Sequence, residues 1–140
     1  MQTIGVLGAG AWGTALAATA TKAGRDVRVW ALEAEVAEAL SMGKGNPVFL
    51  PDIELPKMQA SSDMSILADC EAILSVVPAQ HARACFNQLD QYLTPGVPVL
   101  LCSKGIEKNT LSLMTDVVHE TMPKATPAVL SGPSFAADVA

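Results

Sequence analysis

The stretch "TIGVLGAGAWGTALA", Thr3 to Ala17, sets Gly5, Gly8, Gly10 and Gly13 among small and apolar residues. The apolar run Thr3–Leu7 reads as a strand and the alanine-rich run Ala11–Lys22 as a helix, so the glycines fall on the turn between them. Each glycine of that turn has its own expected role. Gly8 allows the tight turn, Gly10 lets a pyrophosphate touch the backbone, and Gly13 lets the helix pack closely. The start of the helix adds free N–H groups and about half a unit of positive charge. Glycines also serve ordinary tight turns. What lifts this set above them is its setting between strand and helix, together with Glu33 at the end of the next strand, 20 residues after Gly13.

The rest of the chain repeats the same rhythm. Strands are expected at Val27–Ala31, Met58–Ala60, Ala72–Val77, Val97–Cys102 and Ala128–Leu130, and helices at Glu33–Met42, Gln80–Tyr92 and Leu111–Met122. "SSDMSILAD" opens on a serine suited to capping a short helical turn, and "NPVFLPDIELP", with three prolines, reads as an irregular connection. Strands this apolar are buried on both faces, which implies a mostly parallel sheet covered by helices on each side: an α/β, doubly wound, Rossmann-type domain. With 140 residues, half of them hydrophobic, the chain has enough core for one such domain and too little for two.

Ligands of a doubly wound sheet lie outside the carboxyl ends of its strands. That edge collects Gly8 to Gly13 after the first strand, Leu32 and Glu33 after the second, Pro78 after the fourth, Lys104 after the fifth, and Ser131 to Ser134 after the sixth. Glu33 is an expected acceptor for the adenosine ribose hydroxyls, which favours NAD because a carboxylate repels a 2′-phosphate; otherwise it is an acid in the first turn of a helix. Lys104 is suited to holding a phosphate or the oxygen of a carbonyl under reduction, against the alternative of a surface lysine in a turn. "SGPSFA" offers N–H groups and hydroxyls to a phosphate or carboxamide, or is a plain turn with Ser131 or Ser134 as helix cap.

A net charge of −5 argues against nucleic acid or an anionic membrane as partner. No apolar run reaches the length of a spanning helix and no secretory leader opens the chain, so a cytoplasmic location is expected. Cys70, Cys85 and Cys102 lack metal-site spacing and read as buried reduced thiols. His81 and His119 have no partners suggesting a triad or a metal pair, and no metal is expected.

Taken together, "GAGAWGTALA", "NPVFLPDIELP", "VVPAQHAR", "SKGIE" and "SGPSFAADVA" resemble, in order and over the whole chain, the bacterial soluble NAD(P)-dependent glycerol-3-phosphate dehydrogenases. The resemblance implies cofactor contacts at Ala11, Trp12 and Ala136, with Pro78 and Leu32 on the cofactor side and Leu32 near the adenosine ribose. It makes Lys104 the lysine that touches cofactor and substrate, and Gly132 and Ser134 substrate contacts. Leu32 departs from the basic or polar residue many members carry there, which again favours NAD over NADP. The family also carries a helical substrate domain after "SGPSFA", holding the lysine that serves as general base. Residues 1–140 are thus expected to be the dinucleotide-binding domain alone, inactive without that second domain, which this chain lacks. The implied reaction is reversible hydride transfer between NAD(P)H and dihydroxyacetone phosphate, giving sn-glycerol 3-phosphate for glycerophospholipid synthesis, with a homodimer left open for the full-length enzyme. Two competing readings are a reductase of another small oxo acid, such as ketopantoate, and a dinucleotide-sensing module without catalysis.

Overall fold

Alternating apolar residues on β1 (Thr3–Leu7) send Val6 to one face of a sheet and Leu7 to the other, and both are fully buried. A computed structural model of the chain describes residues 1–132 and 135–140. Its elements are β1, α1 (Ala11–Lys22), β2 (Asp26–Trp30), α2 (Ala34–Met42), β3 (Gln59–Ser61), a 3₁₀ turn (Met64–Leu67), β4 (Ala72–Ser75), α3 (Ala79–Leu89), a second 3₁₀ turn (Asp90–Tyr92), β5 (Pro98–Leu101), α4 (Met114–Thr121), β6 (Thr126–Val129) and α5 (Ala136–Val139). The strands pair in the order β3-β2-β1-β4-β5-β6, every pair parallel. This is the doubly wound arrangement expected, and the direction of winding reverses between β1 and β4.

Two hydrophobic cores form, one on each face. Val6, Val29, Val36 and Leu40 pack with the alanines of α1 on one side, while Leu7, Ile73, Phe86, Val99 and Val117 pack on the other. Small residues on α1 (Ala15, Ala17 and Ala18, all fully buried) let that helix lie close to the sheet. The final helix, α5, lies against α1: Thr19 donates to the carbonyl of Val139 at 3.2 Å and Lys22 to that of Ala140.

Several boundaries differ from expectation, each for a local reason. The 3₁₀ turn after β3 is capped by Asp63, whose carboxylate accepts from the Ser65 amide at 2.9 Å, and not by a serine. The helix expected over Gln80–Tyr92 stays α-helical only to Leu89 and then tightens, with the Leu93 amide on Asp90. The helix expected from Leu111 begins at Met114, because Leu111 takes a φ of 58° and its amide closes a turn on the Glu107 carbonyl at 2.9 Å. Strand β4 ends at Ser75, two residues before the expected end, as the chain turns toward Pro78. Phe135 occupies the N-cap of α5, so Ser131 does not cap it, and Ser134 lies outside the described residues.

Candidate functional site

The three glycines of the first turn have distinct surroundings. Gly8 has a φ of 111°, a region side chains disfavour, while its amide extends the sheet onto the Trp30 carbonyl at 3.0 Å. A Cβ on Gly13 would stand 1.9 Å from the Gly8 carbonyl oxygen, so helix and turn touch backbone to backbone. Gly10 differs from both: its φ of −64° suits any residue, and a Cβ there would meet nothing within 4 Å. The protein's own packing therefore does not require a glycine at position 10. The bare backbone leaves open space above the helix start.

Gly10 is the N-cap of α1, where no side chain caps the helix and no acid stands in the first turn. The first amides of the helix have no intrahelical acceptor and carry the positive end of its dipole. Next to them runs a crevice of about 910 Å³ along the carboxyl ends of β1, β4, β5 and β6. Ala11, Trp12, Pro78, Lys104, Gly132 and Ala136, drawn from several separate stretches of sequence, all line it. The structure thus brings together six of the expected site residues at the point where the strand order reverses. That is where a doubly wound sheet takes a ligand.

Leu32 and Glu33 do not line this crevice. They follow β2 on the same edge, beside the glycine turn, since Trp30 pairs with Leu7. Leu32 is 74% exposed, and the half-buried Glu33 is the N-cap of α2 without using its carboxylate to cap it. Arg28, the basic residue of β2, is directed away from this edge and donates to the Ala68 carbonyl at 2.9 Å.

Lys104 is exposed at the crevice, and among the described residues it has no ion-pair partner. Cys102 lines the same space, but burial pushes its thiol up to about 11, so it stays protonated and non-nucleophilic at neutral pH. Burial pushes Cys70 to about 11 as well, and all three cysteines are free. His81 and His119 are both exposed. No helix among the described residues is long and apolar enough to cross a membrane.

One residue at the site has no counterpart among the sequence expectations. Asn46, 1% exposed, donates from Nδ2 to the Ala9 carbonyl at 2.9 Å and to Thr14 Oγ1 at 2.8 Å, while its Oδ1 accepts from the Phe49 amide at 3.0 Å. It ties the connection after α2 to the glycine turn. The only sequence signal is a polar residue preceding the apolar, proline-rich "PVFLP".

Comparison with solved structures agrees with this fold. The family model described as NAD-dependent glycerol-3-phosphate dehydrogenase N-terminus matches residues 3–140. A glycerol-3-phosphate dehydrogenase [NAD(P)+] of Maricaulis maris is 55% identical over 140 residues, and one of Caulobacter vibrioides is 51% identical. In both cases the match covers 99% of this chain and 42% of the relative. The solved structure of glycerol-3-phosphate dehydrogenase from Coxiella burnetii superposes with a TM-score of 0.88 at 30% identity, over 99% of this chain and 43% of that one. The chain therefore spans less than half the length of these relatives. It belongs to the family of NAD-dependent glycerol-3-phosphate dehydrogenase N-terminal domains.

Proposed function

We propose that the chain is the cofactor-binding part of an enzyme that interconverts dihydroxyacetone phosphate and sn-glycerol 3-phosphate with NAD(H). The observation that carries the reading is Gly10, whose missing side chain serves no contact inside the protein. A pyrophosphate on the turn from Gly8 to Gly13 would receive the amides of Ala11 and Trp12 and the helix dipole, charge assistance that an anionic ligand needs on a chain of net charge −5. The rest of the cofactor would extend along the crevice past Pro78 and Ala136. Bound there, the nicotinamide supplies the hydride; the protein supplies position and charge.

Lys104 supplies the charge. Its ammonium, at the crevice, is suited to the substrate carbonyl oxygen, where negative charge grows as the carbon is reduced. Gly132, which also lines the crevice, and Ser134 are assigned to the substrate. The proton for the new hydroxyl would come from a lysine of the helical domain that the family carries beyond the part matched here. Residues 1–140 by themselves are expected to bind cofactor without turnover.

For the choice between cofactors, Glu33 and Leu32 favour NAD. Glu33 would accept from the ribose hydroxyls and repel a 2′-phosphate, Leu32 offers that phosphate no cation, and Arg28 is held by Ala68. Neither a ketopantoate-type reductase nor a catalytically silent sensor is favoured, because the family match extends through the Lys104 and Gly132 region to residue 140.

The test is steady-state reduction of dihydroxyacetone phosphate by the complete enzyme and its Lys104→Met variant. The variant should bind NADH within a few-fold of native yet lose about two orders of magnitude in kcat/KM, roughly 3 kcal/mol of transition-state stabilisation. A near-native rate would remove Lys104 from the chemistry, and no turnover by the unaltered enzyme would overturn the assignment itself.

A further inference from the structure

The loop that carries Lys104 is fastened to α3 at a series of points. Ser103 donates to the Val77 carbonyl at 2.5 Å, just before the helix begins. Gln80, in the first turn, holds the loop on either side of Glu107: its Nε2 donates to the Ile106 carbonyl at 2.8 Å, and its Oε1 accepts from the Lys108 amide at 3.0 Å. Arg83, three residues on and hence on the same helix face, grips Glu107 itself through two parallel bonds, Nε to Oε1 and Nη2 to Oε2, each 2.9 Å. Its remaining nitrogen, Nη1, reaches Glu120 Oε2 on α4 at 2.7 Å.

Glu107 is the fixed base of this loop. Its side chain is only 12% exposed, Thr110 Oγ1 donates to its second oxygen, and its backbone closes turns with Leu111 and Ser112 at 2.9 and 3.0 Å. Leu111 is held at a φ of 58° by that closure. Lys104 stands three residues before this base, across Gly105 at a φ of 101°. With no ion-pair partner of its own among the described residues, the ammonium takes its position from the loop backbone. Misplacing a reacting group by about 1 Å can cost on the order of a hundredfold in rate.

We propose that Arg83, assisted by Gln80, is the positioning residue for Lys104: its bidentate grip on Glu107 and its bond to Glu120 lock the loop between α3 and α4 so that the ammonium stays over the crevice. Lysine cannot replace that fork, because a single ammonium does not make two coplanar bonds. The inference rests on the reading that Lys104 faces the reacting carbonyl.

The experiment is a double-substitution cycle in the complete enzyme with Arg83→Met and Lys104→Met, and with Arg83→Lys and Gln80→Ala as milder variants. Arg83→Met should lower kcat about tenfold or more with KM for NADH within about twofold, Arg83→Lys should fall between, and in the Lys104→Met enzyme the same change should alter the rate less than about twofold. Equal losses in both backgrounds would show a general structural effect and overturn the proposal; so would native rates. A second readout needs no turnover: acetylation of Lys104, followed by peptide mass spectrometry, should be slowed by NADH in the native protein and in Arg83→Met should lose that protection while Lys22 and Lys124 react as before. Retained protection overturns the clamp even if the enzyme proves inert toward dihydroxyacetone phosphate, an outcome that would sink the functional reading on its own. Should Arg83→Met fail to fold, Gln80→Ala carries the same comparison in the same direction.

Discussion

Asn46 and Ala9 lie 37 residues apart in sequence, and the side-chain amide of one donates to the backbone carbonyl of the other at 2.9 Å. This bond joins a proline-rich connection to the glycine turn, so the shape of the turn depends on a segment outside its own strand-turn-helix unit. In Asn46→Ala the Phe49 amide loses its acceptor, and Ala9 and Thr14 each lose a buried donor. The variant should be less stable by about 1–3 kcal/mol, read from the midpoint of urea unfolding at unchanged slope. An unshifted midpoint would mean that the connection is not held through Asn46.

Gly13 and Gly10 should respond in opposite ways to a side chain. Gly13→Ala sets a methyl 1.9 Å from the Gly8 carbonyl oxygen, a backbone atom that cannot yield cheaply. A loss of about 2–3 kcal/mol or more is expected, as for other overpacked sites. Gly10→Ser has open space, an ordinary φ and a good capping side chain, so it should fold within about 0.5 kcal/mol of native. Thermal unfolding of the two variants side by side checks the pair.

The Arg83–Glu107 contact makes a prediction in pH. Hydrogen bonds from Arg83 first and Thr110 second hold the Glu107 carboxyl below its usual 4.5. A lowered folded-state pKa adds stability above the unfolded value and loses it as the pH falls through the folded one. Native protein should therefore exceed Glu107→Gln in stability by a constant margin from neutrality down to about pH 5, and that margin should shrink below pH 4.5. Urea midpoints across that range give the curve. A margin that grew on acidification would contradict the contact.

For cofactor choice, repulsion from one partly exposed carboxylate is worth roughly 1 kcal/mol, so NADH should bind about fivefold to tenfold more tightly than NADPH. Calorimetry with both cofactors on the same protein measures the ratio, and Glu33→Gln should narrow it. Tighter NADPH binding would show that a cation other than Arg28 reaches the 2′-phosphate.

Features built from neighbouring residues are legible in the sequence itself. The ends of β1 and α1 fall where the apolar run, the glycines and the alanines place them, because strand, turn and helix there are encoded within 20 residues. The gathering of Pro78, Lys104 and Gly132 at one edge follows from the rule that a doubly wound sheet turns all its carboxyl ends the same way. The remainder depends on distant partners. Leu111 looks like the start of a helix until Glu107 binds its amide, and Asn46 looks like a loop residue until Ala9 and Thr14 are beside it. Arg83 falls within the helix expected over Gln80–Tyr92, and its pairing with Glu107 becomes visible only when β5 brings the loop alongside α3. Glu33, expected at the cofactor from its spacing, stands beside the crevice and not in it.

The central claim is that the bare backbone at Gly10 is reserved for a dinucleotide. Titration of the chain with NADH, followed by the fluorescence of its two tryptophans, of which Trp12 lines the crevice, tests it most directly when native protein and Gly10→Val are compared at equal foldedness by circular dichroism. The native chain should show saturable quenching, and Gly10→Val should lose at least about tenfold in affinity, or about 1.4 kcal/mol, while remaining folded. Superimposable curves for the two proteins would contradict the account.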